Sequence, residues 1–576
     1  MGEKRITFAR DATGLVREIG WFTALSIVLC NVIGGGINFY AVQATYKYPF
    51  ANVPLAFALG AIPAITSAVV FTLFGIAMPR SGGGYVYVSR TLSPFLGFLS
   101  SWAWWTSVAL SFGIIAFLDT SFIGFAFQVV GKYPWDGLFQ LGTWMQTTEA
   151  GIIVGIIMVI IFFIITVLGL DIFGKVLNAL LIIAVIGSIA TIIVLATGNP
   201  LNATINYALA YTNPMQLGDP ANWASTKIWG MISDYTDYLI SYVETNGMDA
   251  LSDTFMAMIF IVWAYIGFTA STFVGGEIKE VRKSMVISVF IGTLLIAGYY
   301  VLISGLVYYA SGPFLYVYTY AQNSLGGASW ALTLNPDIYA AFNAWLTTFP
   351  SQVRDQIVSS IPASFLPSFP PLIKASIPLF AALQVPGASG AIALLVAVTG
   401  AIWLMNDIPP FIITSARTTF AWAFDRVFPI QFAEVSERWH SPVWATTLVA
   451  GVAVLGVFLS ASDVFMAAFD TVFLDTIMLW FGAMAAMLFP YVKPEIYERG
   501  LKLEWAGVPV ITIFGVIAFI ATTLVILVGV SGFTMQSIYL QVFIFGLGSL
   551  IYVAYYLYNK KIGVDMETIY AEIPPE

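Results

Sequence analysis

Cysteine and histidine are nearly missing from this chain: Cys30 is its only cysteine and His440 its only histidine. That excludes an intramolecular disulfide and any metal site that needs two or more such ligands. Charge is also scarce, with Asp, Glu, Lys and Arg making up 9% of the 576 residues and hydrophobic types 59%. A soluble domain carries roughly 25% charged residues, so water is not the main solvent here. The formal charge is -8 and no Lys/Arg-rich block occurs, which argues against a nucleic-acid partner. Convergent catalytic side chains at membrane depth, which an integral membrane enzyme needs, are not evident, and no cofactor is called for. The segment Met1 to Gly20 holds Lys4, Arg5, Arg10 and Arg17 but no short apolar core ending in a cleavage site, so no signal peptide is read there.

Long apolar runs are what the chain has in abundance. They fall at roughly 19–45, 53–78, 94–130, 149–169, 174–198, 251–274, 285–310, 387–416, 443–461, 464–489, 507–530 and 535–558. Each is a continuous stretch near the ~20 residues a helix needs to cross a bilayer, whereas barrel strands alternate over about 10. The expectation is an all-α polytopic membrane protein with about 12 transmembrane helices. With both termini cytoplasmic, 18 of the 23 lysines and arginines fall in inside segments and only Lys47, Lys132, Lys227, Arg354 and Lys374 fall outside. Short inside loops accumulate positive charge, so this orientation in the cell membrane fits. Residues 1–18 and 559–576 are then cytoplasmic ends, and 199–250 and 311–386 are long extracellular loops. Those loops, too polar to cross, read as a partly ordered outer cap or as gating elements.

Two runs contain features that a continuous helix would avoid. The first holds Asn31-Val32-Ile33-Gly34-Gly35-Gly36-Ile37-Asn38, three glycines at mid-depth. Unwound backbone is tolerated in hydrocarbon only where it meets a ligand, ion or water-filled cavity, so the triplet suggests a binding position; close helix packing through small residues is the alternative. The sixth run offers a counterpart around Trp263, Ala264, Tyr265, Ile266 and Gly267. Runs one and six are five helices apart, as an inverted pair of five-helix repeats over 19–198 and 251–489 would require, with 490–558 adding two further helices. The eighth run carries Trp403-Leu404-Met405-Asn406-Asp407-Ile408-Pro409-Pro410. A carboxylate inside a crossing is costly and is read as functional, against the alternative of a residue facing a vestibule or capping the proline-broken helix.

The sequence resembles the amino acid/polyamine/organocation superfamily of permeases. The resemblance rests on Arg17-Glu18-Ile19-Gly20 leading into Ile33-Gly34-Gly35-Gly36-Ile37, on Met78-Pro79-Arg80-Ser81-Gly82-Gly83-Gly84-Tyr85-Val86-Tyr87 with Leu96-Gly97-Phe98, and on Trp263 to Phe268 followed by Glu277, Lys279 and Arg282. It covers the first seven helices; helices nine to twelve match in hydropathy alone. It implies the leucine-transporter-type five-plus-five fold and a secondary transporter of amino acids working by alternating access. Coupling would be to H+ or Na+, or substrates would be exchanged.

Several residue roles follow from the resemblance. The amides of Gly34, Gly35 and Gly36 would receive a substrate carboxylate, and carbonyls of Val32, Ile33, Trp263 and Tyr265 its ammonium. Trp263 would act as an aromatic gate, or else is a packing or interface residue. Ala264, Ile266, Gly267 and Phe411 would complete the pocket. Asn406 and Asp407 lie where relatives place a cation site between the first and eighth helices, so Asp407 would bind Na+ or take up a proton. The lysine some relatives carry in the fifth helix is replaced here by Ala184, and Thr269 stands where some exchangers have a glutamate. Polyamine, other organic-cation or purine transport on the same fold, and a non-transporting receptor or scaffold, are the alternatives. The oligomeric state is not readable.

Overall fold

The computed structural model describes residues 15–131, 137–200, 202–203, 250–312, 314–316, 319, 376–385, 390–564 and 566–571. Most of the N-terminal end and of the two long polar loops expected over 199–250 and 311–386 therefore lies outside the described residues.

Eleven helices among the described residues are long and apolar enough to cross a membrane, and a twelfth apolar helix of 17 residues lies between the eighth and the tenth. In chain order they are α1 (Trp21–Thr45), α2 (Val53–Ala77), α3 (Pro94–Val130), α4 (Thr148–Val167), α5 (Leu170–Thr197), α6 (Ala250–Phe273), α7 (Val281–Ser311), α8 (Gly390–Phe424), α9 (Val443–Leu459), α10 (Val464–Val492), α11 (Val510–Ser531) and α12 (Met535–Lys561). All twelve expected runs are thus helical. The ninth is shorter than its apolar run because the chain turns at Ser460. At ~1.5 Å per residue, α9 reaches about 25 Å, short of the ~30 Å hydrocarbon layer unless the bilayer thins or its flanks snorkel. The only strands among the described residues, Glu504–Trp505 and Val508–Pro509, form a small hairpin between α10 and α11.

Local chemistry sets the helix starts. The Asn52 side chain accepts from the Leu55 amide at 3.1 Å, and Ser93 does the same for Leu96 at 3.2 Å, each just ahead of a proline in the first turn. Such caps satisfy amides that have no carbonyl four residues back. Burial then sorts the helices: the most apolar window of α3 is 83% buried, against 28% for α11 and 22% for α12. The long α3 is therefore the axis of the bundle and the last two helices are its flank.

Indole and amide groups tie neighbours to that axis. Trp105 Nε1 donates to the Ser415 carbonyl at 3.1 Å, Trp422 Nε1 to Ser101 Oγ at 2.9 Å, and Trp102 Nε1 to the Ile544 carbonyl at 3.0 Å. The chain that re-enters before α8 is also packed in: Ile377–Ala382 is a fully buried short helix capped by Ser376, and Gln384 joins the Asn199 amide at 2.9 Å to the Ala310 carbonyl at 3.0 Å.

Candidate solute site between the broken helices

The triple glycine does interrupt α1. Regular helix stops at Val32, Ile33 takes an extended ψ of 92°, and the chain resumes through a wide π-type turn over Gly36–Tyr40 before Ala41–Lys47. α6 breaks at matching depth. Its first half ends at Val262, Trp263–Tyr265 forms a single 3-10 turn, Ile266 is extended, and Gly267 has φ +109° before helix returns at Ala270. Only glycine holds such a positive φ without strain.

The two breaks lie against each other. A Cβ on Gly36 would come within 2.5 Å of Ala264 Cα, and the Asn31 side-chain amide donates to the Gly267 carbonyl at 3.1 Å. The Tyr300 hydroxyl of α7 sits between the Val32 carbonyl at 2.5 Å and the Ala264 carbonyl at 2.9 Å. Backbone groups freed by unwinding are thus partly satisfied by side chains, as a buried non-helical segment requires. Each glycine has its own task. Gly36 allows the close crossing, Gly35 offers its amide, and Gly34 leaves the space that the Asp407 carboxyl group occupies.

Between the breaks is a narrow cavity of about 20 Å³, walled by both breaks, α3, α8 and α10. Of the residues expected to bind solute, Val32, Gly36, Trp263, Ala264, Ile266 and Phe411 line it. Ile33 and Gly34 are buried beside it, and Gly35 faces the Trp263 ring, with Cη2 3.7 Å from where a Cβ would stand. Tyr265 points elsewhere, donating to the Phe57 carbonyl at 2.8 Å. Gly267 holds Asn31 in place.

Asp407 also lines the cavity, and its position differs from a plain cation ligand on α8. Its Oδ2 accepts from the Gly35 amide at 3.4 Å, so a carboxylate of the protein itself occupies part of the seat expected for a solute carboxylate. Its Oδ1 is buried without a partner among the described residues. Asn406 is fully buried, with neither amide atom partnered among the described residues, and is not a wall of the cavity. No group of three or more His, Cys, Asp or Glu side chains fit to hold a metal gathers among the described residues.

Sequence reasoning missed the α3 and α10 walls. Val108, Ser111 and Ile115 come from α3 and Asp475 from α10. Asp475 Oδ2 accepts from Ser107 Oγ at 3.0 Å, leaving Oδ1 buried and unpartnered. Asp119 on α3 is fully buried, with neither carboxylate oxygen partnered among the described residues. Each sits inside an apolar run, the same signal that singled out Asp407.

Aromatic rings pack against both halves of α6. Tyr40 stacks obliquely on Phe260 at 4.5 Å and on Trp263 at 4.9 Å, while Trp104 lies flat on Phe273 at 4.1 Å. Beyond Phe273 the chain is clamped. The Glu18 and Ile19 amides donate to the Glu277 carbonyl at 3.0 and 2.9 Å, and the Glu277 carboxylate takes a bidentate pair of bonds from Arg417 at 2.9 and 2.8 Å. Nearby, Arg90 pairs with Asp425, whose carboxylate also accepts from the Tyr85 hydroxyl at 2.9 Å; Tyr570 reaches Tyr85 at 2.8 Å. Burial, with Asp425 adding to it, pushes both phenols well above their usual range, so they remain protonated.

The sequence matches the family model described as amino acid permease over residues 19–335 and 359–548. Among curated proteins, the glutamate/serine transporter AimA of Bacillus subtilis is 24% identical over 291 residues, 49% of this chain and 45% of that protein. The mouse solute carrier family 7 member 13 is 33% identical over 105 residues, 18% of this chain and 21% of its own. The serine/threonine exchanger SteT of Bacillus subtilis is 32% identical over 94 residues, 16% and 21% respectively. In each case the match spans less than half of the relative's length. With a family match that runs from the first helix to the last, broken helices included, the chain belongs to the amino acid permease family.

Proposed function

We propose that this protein is a secondary transporter that carries amino acids across the cell membrane by alternating access. The observation that carries the reading is the pair of breaks in α1 and α6 facing one cavity. Unwound backbone in the middle of a bilayer is stable only where it meets protein, ligand or water, and interrupted helices at one site are how carriers present polar groups to a solute. The names of the three similar proteins, each a transporter, exchanger or solute carrier, support the same class. No chemical reaction is assigned.

In this reading the amides at Gly34, Gly35 and Gly36 receive the solute carboxylate once Asp407 has moved off Gly35, and the half-helix dipole adds to their pull. Carbonyls at Ile33 and Trp263 are the acceptors for the ammonium, and Trp263 with Tyr40 forms the gate. Asp407, with Asn406 behind it, couples the cycle to H+ or Na+, or resets between exchanged substrates. The charge bias supports a cytoplasmic side for both termini. The halves 19–198 and 251–489 act as inverted repeats, with 490–558 outside the working core.

Uptake by protein reconstituted in liposomes tests this, with a panel of labelled amino acids alongside putrescine and adenine, under imposed H+ or Na+ gradients. Accumulation of amino acids that weakens in Trp263→Ala and loses its gradient dependence in Asp407→Asn is expected. Uptake of putrescine or adenine alone would move the reading to the cation or purine carriers of the same fold. No uptake of any solute by folded protein would make the chain a receptor or scaffold.

A further inference from the structure

We propose that the solute carries a cationic side chain, as lysine or ornithine does, and that Asp475 is the seat of that second positive charge. The inference rests on the carrier reading above and specifies its substrate class. The cavity is walled by two acidic side chains, Asp407 and Asp475, and by no basic one among the described residues. Both are more than nine-tenths buried, at 4% and 3% exposure, and each has one oxygen satisfied and one without a partner.

The satisfied oxygens are held by the Gly35 amide and by Ser107 Oγ. Each carboxylate is thus fixed through one oxygen and keeps a second that is buried without a partner among the described residues. A zwitterion with one ammonium answers only one of them. Its α-ammonium meets the Ile33 and Trp263 carbonyls together with Asp407, which releases the Gly35 amide to the solute carboxylate, while Asp475 is left buried with its second oxygen unanswered. A second ammonium at the end of the side chain removes that penalty, because buried carboxylates are stable only when paired and hydrogen-bonded. The aliphatic stem between the two charges would lie along Val108, Ile115 and Phe411, apolar surface of the kind that long cationic side chains cover.

The experiment compares L-lysine with L-norleucine, which shares the four-carbon stem and lacks the terminal ammonium, in binding and in liposome uptake by the full chain. Lysine should bind at least about tenfold more tightly, since a desolvated charge without its partner is strongly penalised. Asp475→Asn, which keeps a side-chain oxygen for Ser107, should bring the lysine-to-norleucine ratio close to one, and Asp475→Glu should recover part of it. That ratio does not depend on how much of a variant folds. Equal affinity in the wild type, or an equal loss of both ligands in Asp475→Asn, overturns the proposal. If norleucine and other neutral amino acids accumulate and lysine does not, this inference fails while the carrier reading stands. If no amino acid accumulates, the carrier reading itself falls.

Discussion

Gly34→Ala probes the seat that Asp407 occupies. A Cβ on Gly34 would fall on the carboxyl group of Asp407, whereas on Gly35 the nearest atom would be Trp263 Cη2 at 3.7 Å, an ordinary contact. Forcing a methyl group into filled space costs about 1–3 kcal/mol. Displacing Asp407 also loses the bond from the Gly35 amide, long at 3.4 Å and so worth about 1.5 kcal/mol, the low end for a bond to a charge. The single substitution should therefore cost about 2.5–4.5 kcal/mol in total, enough to lower the Tm of detergent-purified protein by a few degrees. Gly35 already has helical angles, φ -57° and ψ -36°, so Gly35→Ala should stay within about 0.5 kcal/mol of wild type. The decisive comparison is the double substitution. Asp407→Ala removes the obstacle, and in that background Gly34→Ala should add almost nothing, giving a coupling close to the whole steric cost. Tm values of the four proteins, followed by intrinsic fluorescence, provide the readout. Additive losses would mean that the Asp407 carboxyl group does not lie over Gly34, and the account of the first break would fall with it.

Three other perturbations address the frame around the cavity. Glu277→Gln leaves Arg417 buried without its carboxylate and should cost about 3–5 kcal/mol, seen as a large fall in Tm that Arg417→Met in the same chain partly restores. Tyr300→Phe removes the donor shared by the Val32 and Ala264 carbonyls, costing about 1–3 kcal/mol; hydrogen exchange should speed up at both breaks together and not at one alone. Gly267→Ala meets the Asn31 side chain and a backbone of φ +109°. Adding Asn31→Ala removes the side-chain part of the clash but neither the Asn31 carbonyl oxygen, 2.6 Å from where the Cβ would stand, nor the strain, so this double substitution should remain destabilised, unlike the pair at Gly34 and Asp407.

Much of this was legible in the chain, and the omissions have physical reasons. Hydropathy alone locates the crossings, because burying about 20 residues in hydrocarbon leaves a signal no loop imitates. Both breaks follow from glycines where helix is otherwise unbroken. Which glycine does what does not follow, since Gly36 is required by Ala264, a residue 228 positions away that sequence spacing cannot place beside it. Likewise Asn31 stands inside the quoted motif, but its role depends on the Gly267 carbonyl, and the hydroxyl that secures both breaks comes from Tyr300, one tyrosine among 28. Asp119 and Asp475 are a different case. They were readable by the argument used for Asp407, a carboxylate within an apolar crossing, and only the meeting of Asp475 with Asp407 at one cavity needed the structure.

Buried charge in this chain comes in two kinds, and the contrast locates function. Arg417 with Glu277 and Arg90 with Asp425 are paired side chains no more than 2% exposed, meeting through two-pronged contacts. Pairs of that geometry offset most of their own desolvation and serve as clamps. Asp119, Asp407 and Asp475 retain buried oxygens with no partner among the described residues. Each uncompensated carboxylate costs several kcal/mol, against a whole-protein stability of roughly 5–15 kcal/mol. Three of them together are tolerable only if a proton or a cation joins them during the working cycle. The groups that would couple transport to an ion gradient and the groups that would recognise a cationic solute are therefore neighbours at one site, and the occupant of one carboxylate sets the electrostatic cost of filling the next. That coupling would need no distant relay, because the glycine break puts the Asp407 carboxylate in direct contact with the backbone that the solute would use in the proposed cycle.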